Sequence, residues 1–521
     1  VKTSMSSISI RTLCLFAFLA ISVIANHEKL LKGENYLLDN IPEIIDVDEE
    51  PLIATYAGDS LSRLLATQTT YPQIRIAVDY ANLNEGSTEF KNYIRNNLVP
   101  LVVDYFKAAL KVKQPLPGAL KLSSTMKTIC GYKTPTGLSS GTATDLFLIV
   151  SSTTSDSNWV ASAGSCAISA SSKRPIIAQL IFNSKFTSPA GATDPLIHEK
   201  NMYLTMHEVI HALGFAGSNF KNFIDASGNT LTGHIKTVTL NGSDRTVLDV
   251  EPLTTKLRTH FGCPTLEGAF MENDGGTGTA GSHFERRHFI YEAMTSGVMQ
   301  GLRLSEFSLA VLEGSGWYLP DYSYADPFFL GQGQGCGFLK DSCSSKSFAY
   351  EEFCSTAGRS CTALGAGGGI CAKDTRSDDC FYYIPMLDYA CDSPSAVDNA
   401  RFPTLEAYGR NVESRCFTGT LSKTSSTSSS TSFCLKYTCS GSGLSTKLQV
   451  KLGTATATCV KGAKITVSGY SGSINCPDPI EFCQTVGLQH CPRKCMGKGT
   501  CVNNKCVCNS GFTGIDCAMK A

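Results

Sequence analysis

Residues 207–211 of this 521-residue chain read His-Glu-Val-Ile-His. On a helix, two histidines four residues apart differ by about 40° around the axis, so both rings leave one face. Neutral imidazoles set out in that way suit Zn²⁺. The intervening Glu208 is placed to take a proton from water held beside the metal. The flanking residues suit a buried helix. Met206, Val209, Ile210, Leu213 and Phe215 are apolar, and Gly214 lets the chain leave in a left-handed turn. The competing interpretation is a pair of hydrogen-bonded helix histidines with no ligand role.

A catalytic zinc takes a third protein ligand and keeps one position open. In the compact form of this motif a histidine stands six residues after the second one; here that position is Gly217. A glutamate from a following helix is another known solution, but the next one, Glu251, lies 40 residues past His211 in a proline-containing stretch without a helical pattern. His283 is better placed, in AGSHFERRHFIYEAMTSGVM, 11 residues before Met294. A methionine in such a turn can form a soft apolar floor under metal ligands. His288 and His260 remain open as competitors, the latter in an expected loop beside Cys263. His198 and His234 read as surface or core histidines.

These groups need a scaffold. Ile74, Ile76, Val78 and Tyr80 alternate with polar neighbours and predict a strand. Residues 87–112 predict a helix, capped by Ser87 or Thr88 and kinked or divided at Pro100. LFLIV at 146–150 and IIAQLIF at 176–182 predict buried strands, and a helix follows over about 199–213. One helix therefore lies behind a sheet, and the fold class is α+β. Residues 26–65 are acidic, with DVDEE at 46–50, and read as a pro-segment or a loosely held arm. The Ser/Thr run 422–432 reads as a linker or a surface loop.

The chain carries 45 acidic and 45 basic groups, so no charge excess supports a general nucleic-acid or anionic-membrane role. The apolar run 12–25 follows Lys2 and Arg11 and ends with Val23 and Ala25 at small-residue positions. It reads as a signal peptide over 1–25, with Met5 a candidate start. No later stretch approaches ~18 unbroken apolar residues, and the ending GIDCAMKA lacks the apolar tail of a glycolipid-anchor signal. The expected location is secreted or cell-surface associated. Beyond Cys14 lie 22 cysteines, of which only Cys130, Cys166 and Cys263 precede residue 336. An even, clustered set predicts disulfides formed in an oxidising compartment. Three cysteines upstream and 13 between 336 and Cys491 are both odd sets, so at least one bridge must cross between them. Asn241-Gly-Ser is a glycosylation sequon.

HEVIHALGF, a long insertion, GSHFERR and EAMTSG together resemble the leishmanolysin family of zinc endopeptidases, which are metzincins. SRCF at 414–417, GYSGSI at 469–474 and CP at 476–477 extend the resemblance from about residue 70 to 483. It implies that His207, His211 and His283 bind one Zn²⁺, that Glu208 is the catalytic base and that Met294 is the Met-turn residue. The architecture implied is a metzincin-like subdomain with a mixed sheet and active-site helix (70–215) and an inserted central part with the third histidine and Met-turn (216–325). A cysteine-rich subdomain (326–485) and a terminal module (486–521) complete it, with a pro-segment over 26–69. Two departures stand out: the missing anchor signal, and the absence of any cysteine in 26–129 to block the metal.

The last stretch, CPRKCMGKGTCVNNKCVCNSGFTGIDC, resembles an EGF-like module. The usual pairing of such modules implies Cys491–Cys501, Cys495–Cys506 and Cys508–Cys517; the sequence alone does not choose among the 15 pairings. The expected activity is cleavage of internal peptide bonds in protein or peptide substrates. The alternative is an adhesion protein that uses the scaffold, with the module engaging a docking partner outside the cell. A zinc amidase of smaller substrates is a third reading.

Overall fold

The computed structural model describes residues 51–54, 70–391 apart from 277, 298, 300, 346–347 and 356–357, then 414–423, 431–485, and 491–521 apart from 503–504. The expected signal peptide, most of the 26–69 stretch, and residues 424–430 of the Ser/Thr run lie outside the described residues.

The fold is α+β. Its centre is a five-stranded mixed sheet of β1 (Leu52–Ala54), β2 (Ile76–Asn82), β3 (Leu146–Thr153), β4 (Ala161–Ser169) and β5 (Pro175–Asn183), in the order β1-β4-β5-β3-β2. β2, β3 and β5 run parallel, β4 runs antiparallel to β5, and β1 runs parallel to β4. The apolar runs of β3 and β5 are buried because both faces of the sheet are covered. β1 falls inside the stretch expected to be a pro-segment or loose arm. In these three residues that stretch is instead an edge strand, with Leu52 opposite Ala167.

β4 was not foreseen. Its sequence, ASAGSCAIS, is almost entirely buried yet has few large apolar residues to betray it. Small side chains are what the position requires, because the helix carrying HEVIH packs directly on β4 and β5.

The predicted helix 87–112 is a composite. α1 (Thr88–Tyr93) starts at Ser87, whose side chain accepts the Phe90 N–H at 3.1 Å. A single wide turn, Ile94–Leu98, leads into α2 (Val99–Ala109). Pro100 sits in the first turn of α2, where a missing N–H is tolerated, so the helix continues through it. Its expected last turn is not helix: Leu110–Val112 pairs antiparallel with Tyr318–Pro320. The next long helix, α3 (Pro195–Ala212), begins earlier than expected. Asp194 caps it by accepting from Leu196 N and Ile197 N at 2.9 and 3.1 Å, with Pro195 at the first helical position.

Beyond α3 come a hairpin, Ile235–Leu240 with Ser243–Leu248, and a helix, Leu253–Phe261. Asn241 stands exposed at the hairpin turn with a φ of 51°. His260 was expected in a loop; it lies on this helix, whose Leu253, Leu257 and Phe261 bury one face. The C-terminal half is built of antiparallel sheets. One has three strands, Arg359–Cys361, Gly367–Asp374 and Cys380–Ala390; the other has four, Ser414–Thr418, Ser432–Ser440, Lys447–Leu452 and Ala455–Cys459. The four-stranded sheet has its own core around Phe417, Phe433, Leu435 and Val450. The terminal module consists of two small hairpins.

Every cysteine from Cys130 onward is bridged. Cys130–Cys166 closes within the upstream part, and Cys263–Cys336 crosses to the C-terminal half. The module is stapled by Cys491–Cys501, Cys495–Cys506 and Cys508–Cys517. Among the described residues no helix is long and apolar enough to cross a membrane.

Candidate metal centre

α3 delivers His207 and His211 from consecutive turns, and both are fully buried. The helix ends where it must for this to work. Gly214 has a φ of +118°, and a Cβ there would come within 2.6 Å of the Trp317 ring. The chain thus reverses tightly, and the Phe215 carbonyl returns to hydrogen-bond with His211 Nδ1. Gly217, at the position where the compact motif would carry its third histidine, donates its N–H to Ser282 Oγ at 3.0 Å. That contact brings the neighbour of His283 against the end of the helix.

The structure places three imidazoles together. His207 Nε2 lies 2.8 Å from His211 Nε2 and 3.2 Å from His283 Nε2. All three potential ligand atoms fall within 4.8 Å of one another. Neither His288 nor His260 joins them. His288 Nε2 meets the Leu339 carbonyl at 2.9 Å and His260 Nε2 the Leu330 carbonyl at 2.8 Å. His198 and His234 are core histidines, with His234 Nε2 on the Phe220 carbonyl at 2.9 Å. Glu251 is exposed just before the helix Leu253–Phe261.

The outer nitrogens fix the chemistry of the inner ones. His207 Nδ1 faces the Ala293 carbonyl at 2.6 Å, His283 Nδ1 the Thr279 carbonyl at 3.0 Å, and His211 Nδ1 the Phe215 carbonyl. A carbonyl oxygen only accepts, so each Nδ1 carries the hydrogen and each neutral ring turns an Nε2 lone pair toward the others. Burial holds His207 down to about 4, the Ala293 carbonyl offsetting it only in part. Burial first, then the neighbouring His207, drives His211 and His283 well below the ordinary histidine range. Three converging acceptors that resist protonation call for a cation. Tetrahedral zinc ligands at 2.0–2.1 Å would stand roughly 3.3 Å apart, close to the separations seen. The residues present therefore fit a zinc ion.

Glu208 is fully buried, and neither carboxylate oxygen has a hydrogen-bond partner among the described residues. Burial pushes its carboxyl well above the ordinary range, and the Ala163 backbone of β4 offsets this only in part. A buried carboxylate is costly without a charged or donor partner, so the position suits a group that works beside a cation.

Met294 is fully buried in the turn after the third histidine. Its carbonyl accepts from Phe284 N at 2.9 Å, which ties the turn to the residue after His283. Two groups that sequence reasoning passed over hold this turn. Glu292 accepts the Met294 N–H. Arg286, fully buried, donates to the Ser296 carbonyl and pairs with Asp374 Oδ2 at 3.2 Å. Both lie in the quoted GSHFERR and YEAMTSG stretches, where a charged residue amid buried aromatics was the available signal.

Comparison with known proteins identifies the family. The leishmanolysin family model matches residues 85–376 and 365–489, and a teneurin-like EGF domain matches 491–520. The chain is 25% identical over 435 residues to leishmanolysin of Leishmania major, covering 76% of this chain and 69% of that protein. It is 30% identical over 343 residues to the ciliated left-right organizer metallopeptidase of Mus musculus, covering 61% of this chain and 47% of that protein. A leishmanolysin-like peptidase of Drosophila melanogaster is 31% identical over 222 residues, 35% of this chain and 31% of that protein. With the family model spanning well over half its length, this chain belongs to the leishmanolysin family of metallopeptidases.

Proposed function

We propose that this chain is a secreted zinc endopeptidase in which His207, His211 and His283 hold the metal and Glu208 is the general base. The observation that carries the reading is the convergence of three Nε2 atoms, two of them from the helix that also buries the Glu208 carboxylate. When bound, zinc supplies Lewis acidity, polarising the scissile carbonyl and lowering the pKa of water toward ~7. Glu208 then takes the proton of the attacking water and passes it to the departing amine. A raised carboxyl affinity for protons suits the first of these transfers, and burial is its source. The carbonyls of Ala293, Phe215 and Thr279 keep the three rings in the ligating tautomer. Met294 is the Met-turn residue, packed in the loop that His283 shares. The bridges, which persist only in an oxidising setting, support export from the cell.

The test uses purified, processed protein, a denatured protein substrate and a zinc chelator such as phenanthroline. Internal cleavage should disappear with chelator. Glu208→Gln should keep stoichiometric zinc while cleavage falls by at least roughly 10²–10⁴-fold. His283→Ala should lower zinc content. Undiminished proteolysis in Glu208→Gln would sink the assignment of the base, and full zinc content in His283→Ala would sink the third ligand.

A further inference from the structure

Arg493 belongs to the terminal module, yet its side chain is only 3% exposed. A guanidinium leaves water only at considerable cost unless its donors are matched. Here it pairs with Asp516 of the module and, at 3.2 Å, with Asp326, a carboxylate that is itself 3% exposed. It also donates to the Tyr203 hydroxyl, and the guanidinium lies 5.0 Å from the centre of that ring. The module reaches the same helix a second time: the Ala518 carbonyl meets His198 Nε2 at 3.1 Å. Met496 and Ala518 are members of the main hydrophobic core.

Two routes lead from Arg493 to the metal centre. Asp326 Oδ2 accepts from Tyr203 OH at 2.7 Å, and Tyr203 stands one helical turn ahead of His207 on α3. The same oxygen accepts from Leu304 N at 3.1 Å. Next to Leu304, the Arg303 carbonyl accepts from Ala293 N at 2.8 Å. The Ala293 carbonyl is the partner of His207 Nδ1, at 2.6 Å. One buried ion pair thus pins both the helix that carries His207 and the segment that sets the tilt of its ring.

We propose that Arg493 of the EGF-like module is a positioning residue of the metal centre, acting on His207 through Asp326, Tyr203 and the Leu304–Ala293 segment. The module is then a working part of the peptidase rather than an appended adhesive unit. This inference rests on the metal role proposed above for His207.

The experiment takes the full chain, loaded with zinc, and compares Arg493→Ala, Arg493→Lys, Asp326→Asn and the Arg493→Ala/Asp326→Asn double variant. For each, kcat, KM and the rate of zinc loss to a chelator are measured per folded, zinc-loaded molecule. Loss of a group that orients a metal ligand should cut kcat roughly tenfold, with KM within about twofold, and speed zinc loss by a similar factor. Arg493→Lys should recover part of both, since an ammonium still pairs with one carboxylate. The double variant should be no worse than the worse single one, because both break one linkage. A lowered melting temperature with unchanged kcat and zinc release would overturn the proposal and leave only a brace; so would additive losses in the double variant. Should Arg493→Ala fail to fold, Arg493→Lys and Asp516→Asn carry the same comparison. His207→Ala in the same series keeps the two readings apart. If it keeps full zinc content the metal reading fails, and if it loses zinc while the Arg493 variants match the parent, only this inference fails.

Discussion

Glu292 shows how one buried carboxylate can hold a catalytic turn. Everything that reaches it is a donor: Met294 N, Ser305 N at 3.1 Å, Ser305 Oγ at 2.8 Å and Ser308 Oγ at 2.7 Å. Burial raises its carboxyl to about 7 despite those four bonds. An amide has a single acceptor oxygen and would turn its NH₂ toward another donor. Glu292→Gln should therefore cost about 1.5–3 kcal/mol at neutral pH, read as a lower urea midpoint. An unchanged midpoint would mean that the Met294 turn does not depend on this acceptor. The histidines of HEVIH were legible because helix geometry is local, so spacing alone puts both rings on one face. Glu292 was not, because three of its four donors arrive from 13 and 16 residues on, and only the fold selects them. The partners of Arg493 outside the module lie farther still, 167 and 290 residues away. No local pattern could distinguish it from an exposed arginine of a small stapled module.

The elements that carry the site depend on how closely they approach. Gly214 ends α3 with a φ of +118°, and Tyr318 OH donates to the Leu213 carbonyl at 3.0 Å to secure the exit. Gly214→Ala combines an unfavourable backbone conformation with a clash against the Trp317 ring. It should lose about 2–3 kcal/mol and lower zinc retention with it; a neutral substitution would show that the exit can relax. Within the sheet, Asp145 joins the start of β3 to the start of β2. It accepts from Arg75 N, Nε and one terminal nitrogen at 2.9 Å each, and from Leu116 N at 2.8 Å. Burial is the largest single influence and raises its carboxyl, but Arg75, Arg174 and the Leu116 amide together outweigh it and hold the carboxyl below the ordinary range. A depressed folded value contributes stability above the unfolded pKa near 4 and loses it as pH falls through the folded value. The parent should thus lose stability more steeply below pH ~4 than Asp145→Asn, which starts about 2 kcal/mol lower at pH 7. Parallel denaturation curves of the two proteins across that window would refute it. Long apolar strands such as β3 and β5 announce themselves in sequence. β4 does not, since its alanines, serines and glycine answer to the closeness of α3 rather than to any hydrophobic period.

Across the whole molecule, the cysteine parity foretold a bridge out of the upstream set, and Cys263–Cys336 is one. What parity could not show is which parts share a core. The four-stranded sheet packs around its own cluster, while Met496 and Ala518 of the module lie in the cluster that also holds α2 and α3. A module of about 30 residues with three bridges could be stable alone, since the staples replace a core. In that case its amides would exchange independently of the catalytic part. For the amides at the docked face, the buried Arg493–Asp326 pair and the Ala518–His198 contact argue for the opposite. Breaking such a pair exposes an unmatched charge to a low-dielectric interior, so undocking should be coupled to opening of α3. Native-state hydrogen exchange in rising urea, with the bridges intact, should give the module hairpin Gly499–Val502 with Lys505–Cys508 no free energy link to undocking, because its staples hold it locally. The Ala518 and Cys517 amides at the interface should merge with those of α3. Arg493→Lys should lower the opening free energy of both sets together. If the interface amides open well below α3, or if the variant shifts them and leaves α3 untouched, the module is a tethered neighbour and the shared core is not a cooperative one.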